Sequence, residues 1–153
     1  VLFIFYVFTF SIFFFTLSNF DYLKIVLFSL LVCCIGSDLG GYIFGKIFKG
    51  PKLTKISPNK TISGSLGSLI FACVFFALMF FVFTFDFSYQ ILLIGIITSI
   101  ACQLGDLLFS YLKRKAVLKD TGNFLPGHGG VLDRLDGVYL GVPIGFITIL
   151  ILN

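Results

Sequence analysis

Asp106 follows 19 uncharged residues (87–105) and precedes Ser110, Lys113 and Arg114. If a helix continues through them, offsets of 0, 4, 7 and 8 put an acid, a hydroxyl and two cations on one stripe. Residues 119–137 form the second segment of interest: Lys119 and Asp120, then His128, Gly129 and Gly130, then Asp133, Arg134 and Asp136, with five Gly and one Pro in all. Glycine-rich backbone lets N–H groups approach phosphate oxygens closely. Asp133 and Asp136, three apart at the start of a further helix, offer the hard oxygen ligands that suit Mg2+, which takes one or two carboxylates plus substrate phosphates. Nearby Lys, Arg and His could neutralise a polyphosphate. A third segment holds Asp38 within an apolar run, followed by Ser57, Lys60 and Thr61, whose hydroxyls and ammonium precede a long apolar stretch and could face an anion at its N-terminus. Each segment also has a plainer reading. Lys113 and Arg114 could be snorkelling bases, Asp133 or Asp136 a helix cap, and Ser57 and Thr61 ordinary caps. Asp106 fits such a reading poorly, because an acid at membrane depth costs about 2.5–3.5 kcal/mol on insertion scales.

The elements that must position these groups are apolar. Of 153 residues, 58% are hydrophobic and 12% charged, and the mean hydropathy is +1.09. That excludes a water-soluble globule, a disordered chain and a disulfide-stapled module. Five stretches are long enough to be spans: 1–20, 25–45 (broken only by Asp38), 62–85, 87–105 and 137–152. They do not alternate apolar with polar, as barrel strands do. The expected fold is therefore all-α, a polytopic integral membrane helical bundle of about five transmembrane helices forming a single domain over residues 1–153. The chain starts at Val1 inside an apolar run, without the basic region and cleavage site of a signal peptide, so it reads as part of a protein with further N-terminal spans.

Charge gives the orientation. Ten of the eleven bases fall in the connections 46–60 and 113–136, and only Lys24 lies elsewhere. The positive-inside rule places both connections in the cytoplasm, where they can form one site. The same rule explains the lysines without nucleic acid, which is not an expected partner. The four cysteines lie in apolar runs and read as buried small hydrophobes.

The motifs resemble a known family. Ser110-Tyr111-Leu112-Lys113-Arg114, Lys119-Asp120 and Pro126-Gly127-His128-Gly129-Gly130-Val131-Leu132-Asp133-Arg134-Leu135-Asp136 span 27 residues and are similar to the signature of phosphatidate cytidylyltransferases, also called CDP-diacylglycerol synthases. Ser57-Pro58-Asn59-Lys60-Thr61 resembles that family's Ser-Pro-x-Lys-Thr element, and Asp38 with Gly41 and Tyr42 resembles its Asp-x-x-Ala-Tyr element. Phe109 and Ser63 stand where many members have Glu.

The resemblance implies a bacterial inner-membrane enzyme with its site facing the cytoplasm. It would convert CTP and phosphatidate into CDP-diacylglycerol and pyrophosphate with Mg2+, and Asp106 and Asp133 would be the metal ligands. Lys113, Arg114 and Arg134 are expected to act on the pyrophosphate or the lipid phosphate, and His128 to shape the loop with Gly129 and Gly130. Asp38, Ser57, Lys60, Thr61, Ser110, Lys119, Asp120 and Asp136 complete the expected substrate-binding set. CTP, phosphatidate and membrane lipids are the expected partners, with a homodimer as a candidate assembly. The competing readings are a CTP-dependent polyprenol or phytol kinase, which would release CDP, and a transporter using Asp38 and Asp106 as an ion path.

Overall fold

A computed structural model describes residues 2–54, 57, 60–84, 88–117 and 132–152. Five helices account for most of them: α1 (Leu2–Ser18), α2 (Asp21–Phe48), α3 (Ile62–Thr84), α4 (Tyr89–Lys115) and α5 (Leu132–Leu152). Among the described residues the β-structure is an isolated bridge between Lys52 and Thr61. The chain is an all-α, polytopic membrane bundle. Four helices are long and apolar enough to cross a bilayer, one fewer than expected. The exception is α1, whose 17 residues reach roughly 26 Å, against a hydrocarbon core of about 30 Å.

The helices overrun the apolar stretches at their polar ends. Asp21 opens α2, where an acid complements the helix dipole, and it pairs with Lys24 at 2.8 Å. At its other end α2 passes Lys46 and stops at Phe48, where left-handed Lys49 (φ 42°) turns its N–H back to the Gly45 carbonyl. The Ser88 hydroxyl accepts from the Gln90 N–H to start α4. No charge ends α4 at Asp106, and it runs nine residues further to Lys115.

Lipid gives helices no hydrophobic reason to associate, so close packing and interhelical hydrogen bonds must hold them. The α2–α3 pair meets backbone to backbone. A Cβ on Gly40 would run into the Gly67 carbonyl, and one on Gly67 would lie 2.7 Å from the Gly40 carbonyl oxygen. Polar side chains then tie α4 to both neighbours. Ser37 bonds Ser99 at 2.9 Å, and Gln103 bonds Ser65 through both its amide oxygen and its amide nitrogen. Leu30, Phe76 and Val142 are fully enclosed. Cys33, Cys34 and Cys102 are buried, Cys73 is half-buried and all four are free thiols, as their apolar settings imply.

Pro143 lies inside α5 and has no N–H to offer the carbonyl of Tyr139, one turn earlier. In lipid that oxygen must find another donor. The Tyr6 hydroxyl of α1 supplies it at 2.6 Å, and Phe10 packs its ring edge against Tyr139 at 4.5 Å between centroids. A helix-breaking residue in α5 thus becomes the anchor for α1.

The connection between α2 and α3 lies at the same end of the bundle as the start of α5. The turns α1–α2 and α3–α4 lie at the other end, where Gln90 donates to the Leu152 carbonyl at 2.7 Å. Tyr6→Phe is expected to cost about 1 kcal/mol and to lower the thermal midpoint in detergent by a few degrees. Adding Pro143→Ala gives the Tyr139 carbonyl a backbone donor again and should recover most of that loss. Equal midpoints for Tyr6→Phe and the parent would remove this role.

Candidate active site

The second half of α2, the start of α3, the second half of α4 and the first turn of α5 converge at one end of the bundle. Thr61 caps α3, its hydroxyl accepting from the Gly64 N–H at 3.1 Å. The chain before it folds back on itself, with Leu53 N–H on the Lys60 carbonyl at 2.7 Å and Ile62 N–H on the Pro51 carbonyl at 3.0 Å. This clamp aims Lys60 inward, and its ammonium meets the Asp106 carboxylate at 2.8 Å.

The approach of α4 to α5 brings in a second acid. A Cβ on Gly105 would lie 2.8 Å from the Asp136 carbonyl oxygen, and one on Gly137 would lie 2.7 Å from Asp106 Oδ1. Any larger residue at 137 would evict the Asp106 carboxylate. With glycine there, the Asp136 carboxyl comes within hydrogen-bonding reach of Asp106. Asp136 also accepts from the Gly137 N–H at 3.0 Å and faces the Lys113 ammonium at 4.0 Å. The result is a row, Lys60–Asp106–Asp136–Lys113, of two carboxylates flanked by two ammoniums. Asp106 is nine residues before the end of α4, roughly 13 Å along the helix. Asp38 is ten residues from the end of α2, roughly 15 Å. Both acids therefore sit about three turns inside their helices rather than at the span ends.

Beside the row is a cavity of about 270 Å3. Lys60, Thr61, Ser57 and Asp106 line one part, and Asp38, Tyr42, Ser65, Ser68 and Gln103 line the rest. The Cys102 thiol contacts Asp38 at 3.9 Å.

The expected residues fare differently. Asp38, Ser57, Lys60, Thr61 and Asp106 line the cavity. Lys113 and Asp136 join the row, and Ser110 is half-buried one turn beyond Asp106. Thr61 is a helix cap as well as a cavity wall. Arg114 does not share the stripe and is exposed. At 100° per residue it lies about 80° around from Asp106, enough to leave a stripe centred on 102, 106, 109 and 113. Phe109 takes the inward position, buried and stacked on Tyr139 at 5.7 Å. Asp133 and Arg134 occupy the first turn of α5, the former one turn before Asp136, and their side chains lie outside the described residues. Lys119, Asp120, His128, Gly129 and Gly130 lie outside them altogether.

Ser65, Ser68 and Gln103 were not anticipated. Their signal was present: Thr61, Ser65 and Ser68 are spaced by four and three along α3, and Gln103 precedes Asp106 by one turn.

Among the described residues no group of three metal-ligating side chains exists. Asp106 and Asp136 nonetheless form a pair of hard oxygen donors. Two carboxylates with phosphates and water suffice for Mg2+, so the donor chemistry fits that ion.

The chain is 44% identical over 126 residues to a phosphatidate cytidylyltransferase of Staphylococcus haemolyticus, covering 81% of this chain and 48% of that protein. It is 40% identical over 129 residues to one of Helicobacter pylori, covering 79% and 46%, and 40% identical over 112 residues to one of Mycobacterium leprae, covering 72% and 36%. The chain thus spans about half the length, or less, of these curated relatives. The profile of the cytidylyltransferase family matches residues 1–152. The convergent polar helix ends and the extent of that match agree: this chain belongs to the cytidylyltransferase family.

Proposed function

We propose that the chain carries the site at which CTP and phosphatidate become CDP-diacylglycerol and pyrophosphate, at the cytoplasmic face of a bacterial inner membrane. One observation carries the reading: the charge-balanced row Lys60–Asp106–Asp136–Lys113 borders a polar cavity inside an apolar bundle. Such a site can take a nucleotide from water and a lipid from the leaflet.

In the reaction a phosphate oxygen of phosphatidate forms a bond to the α-phosphorus of CTP. The bond from that phosphorus to the bridging oxygen of the β-phosphate breaks, and its electron pair leaves with pyrophosphate. The attacking oxygen is already ionised, so no general base is required and alignment and charge neutralisation dominate. Mg2+, which Asp106 and Asp133 would hold, would supply neutralisation of the triphosphate. Lys60 and Lys113 present ammoniums at either end of the row. With Arg134 they draw phosphate oxygens toward the carboxylates and stabilise charge on the departing pyrophosphate, and Arg114, exposed off the stripe, is left for the lipid phosphate. Ser57 and Thr61 offer hydroxyls on the Lys60 side of the cavity, and Ser110 one on α4. Lys119, Asp120 and His128 with Gly129 and Gly130 belong to the loop assigned to the phosphates.

The direct assay follows labelled phosphatidate and CTP in membranes carrying the chain with whatever natural sequence flanks it. Pyrophosphate release with labelled CDP-diacylglycerol is expected, whereas CDP release would identify a kinase. Asp106→Asn should lower turnover by about 100-fold or more. Lys60→Ala should raise the KM for CTP about 10-fold, as loss of one charged contact predicts. Full activity in Asp106→Asn would refute the carboxylate assignment.

Orientation can be tested at Val117, which is 92% exposed just beyond α4. Val117→Cys should react with an impermeant maleimide only from the cytoplasmic side, and labelling from outside would reverse the topology.

A further inference from the structure

The cavity wall carries Lys60 and Asp106 of the row and also Asp38, Ser65, Ser68 and Gln103, which the row does not use. Lys60, the cation nearest this space, is engaged with Asp106 at 2.8 Å. Asp38, open to the cavity, has the Cys102 thiol at 3.9 Å as its hydrogen-bond donor. A carboxylate in that position repels phosphate.

Gln103 is oriented by its own bonds. Its amide nitrogen donates to the Ser65 carbonyl and to the Ser99 hydroxyl, each at 3.3 Å, so both N–H groups are used within the protein. Its amide oxygen accepts from the Ser65 hydroxyl and keeps a second lone pair. Asp38 and Gln103 thus both line, with acceptor capacity to spare, a space of about 270 Å3, which is near the roughly 300 Å3 lower bound of ligand pockets.

This reasoning rests on the reaction proposed above, because it sorts that reaction's substrates by chemistry. Acyl chains do not suit a polar interior, and phosphates do not suit Asp38. The nucleoside is neutral and rich in donors. Its pyrimidine ring carries an exocyclic amine at C4, where uracil carries a carbonyl that acceptors would repel. We propose that this cavity is the base subsite, in which Asp38 and Gln103 accept hydrogen bonds from the exocyclic amine of cytosine and so select CTP over UTP.

The test measures kcat/KM for CTP, for UTP and for the triphosphate of the pyrimidin-2-one riboside, which lacks the amine. The parent protein should prefer CTP to both by about 100-fold or more, as a site built to bond a substrate group rejects analogues lacking it. Asp38→Asn supplies an N–H that the uracil carbonyl can accept, so its CTP-to-UTP ratio should fall at least about 10-fold. The analogue requires no variant, so misfolding of Asp38→Asn leaves that arm intact. Equal use of CTP and the analogue by the parent protein would overturn the proposal. So would an Asp38→Asn variant with the parent's thermal midpoint in detergent that keeps its preference, or that loses both nucleotides equally. Parent protein that turns over CTP without such preference refutes only the base subsite, whereas no turnover of CTP refutes the reaction as well.

Discussion

A charge inside a bilayer must be balanced where it sits, and this requirement organises the polar half of the bundle. An unpaired acid there costs about 2.5–3.5 kcal/mol on insertion scales. Asp106 and Asp136 are brought together by the packing of α4 on α5, which places like charges side by side. Lys60 and Lys113 make that arrangement tolerable from either flank. The two lysines come from different elements, so the balance holds only when the α2–α3 connection is docked against α4. Removing either cation would leave one acid of the pair without its cationic partner.

Glycine makes that row geometrically attainable. Gly105 and Gly137 let α5 approach until its first turn reaches Asp106, and Gly40 and Gly67 do the same for α2 and α3. Close backbone approach supplies the packing that lipid cannot, and beside it short polar side chains leave the cavity next to the row open. Ser65, Ser68 and Gln103 face that space. The far end of the bundle is held differently, by Phe76, Leu30 and Val142 in the core and by aromatic contacts such as Phe13 with Phe146 at 5.5 Å. α1 is tied on by Tyr6 to the carbonyl that Pro143 leaves free.

Much of the site could be read in advance because its residues violate their surroundings. Asp38 and Asp106 stand out in apolar runs, and Lys60 and Thr61 stand out before α3. Arg114 leaves the stripe on which it was expected because an offset of eight does not return to the same face, and helical drift carries it about 80° away. The spans were judged by where charge begins, yet a helix continues past its last apolar residue as long as its backbone bonds can be made. For that reason α4 extends to Lys115, and Asp106 is an interior residue rather than a terminal one. The serines of α3 were overlooked because hydroxyls are common in membrane helices, where they bond their own backbone at little cost.

Sequence alone determined the helical membrane character, the two polar connections and most of the residue types a phosphate-handling site would need. Those follow from composition and local period, which any part of the chain carries within itself. Tertiary structure decided the pairings: Lys60 with Asp106 across 46 residues, Asp136 beside Asp106, and Gln103 locked to Ser65 across 38. Those depend on which helices approach closely enough to touch. That approach is set by glycines whose contribution is the absence of a side chain, and an absent side chain leaves no hydropathy or charge signal to show which helix it will meet.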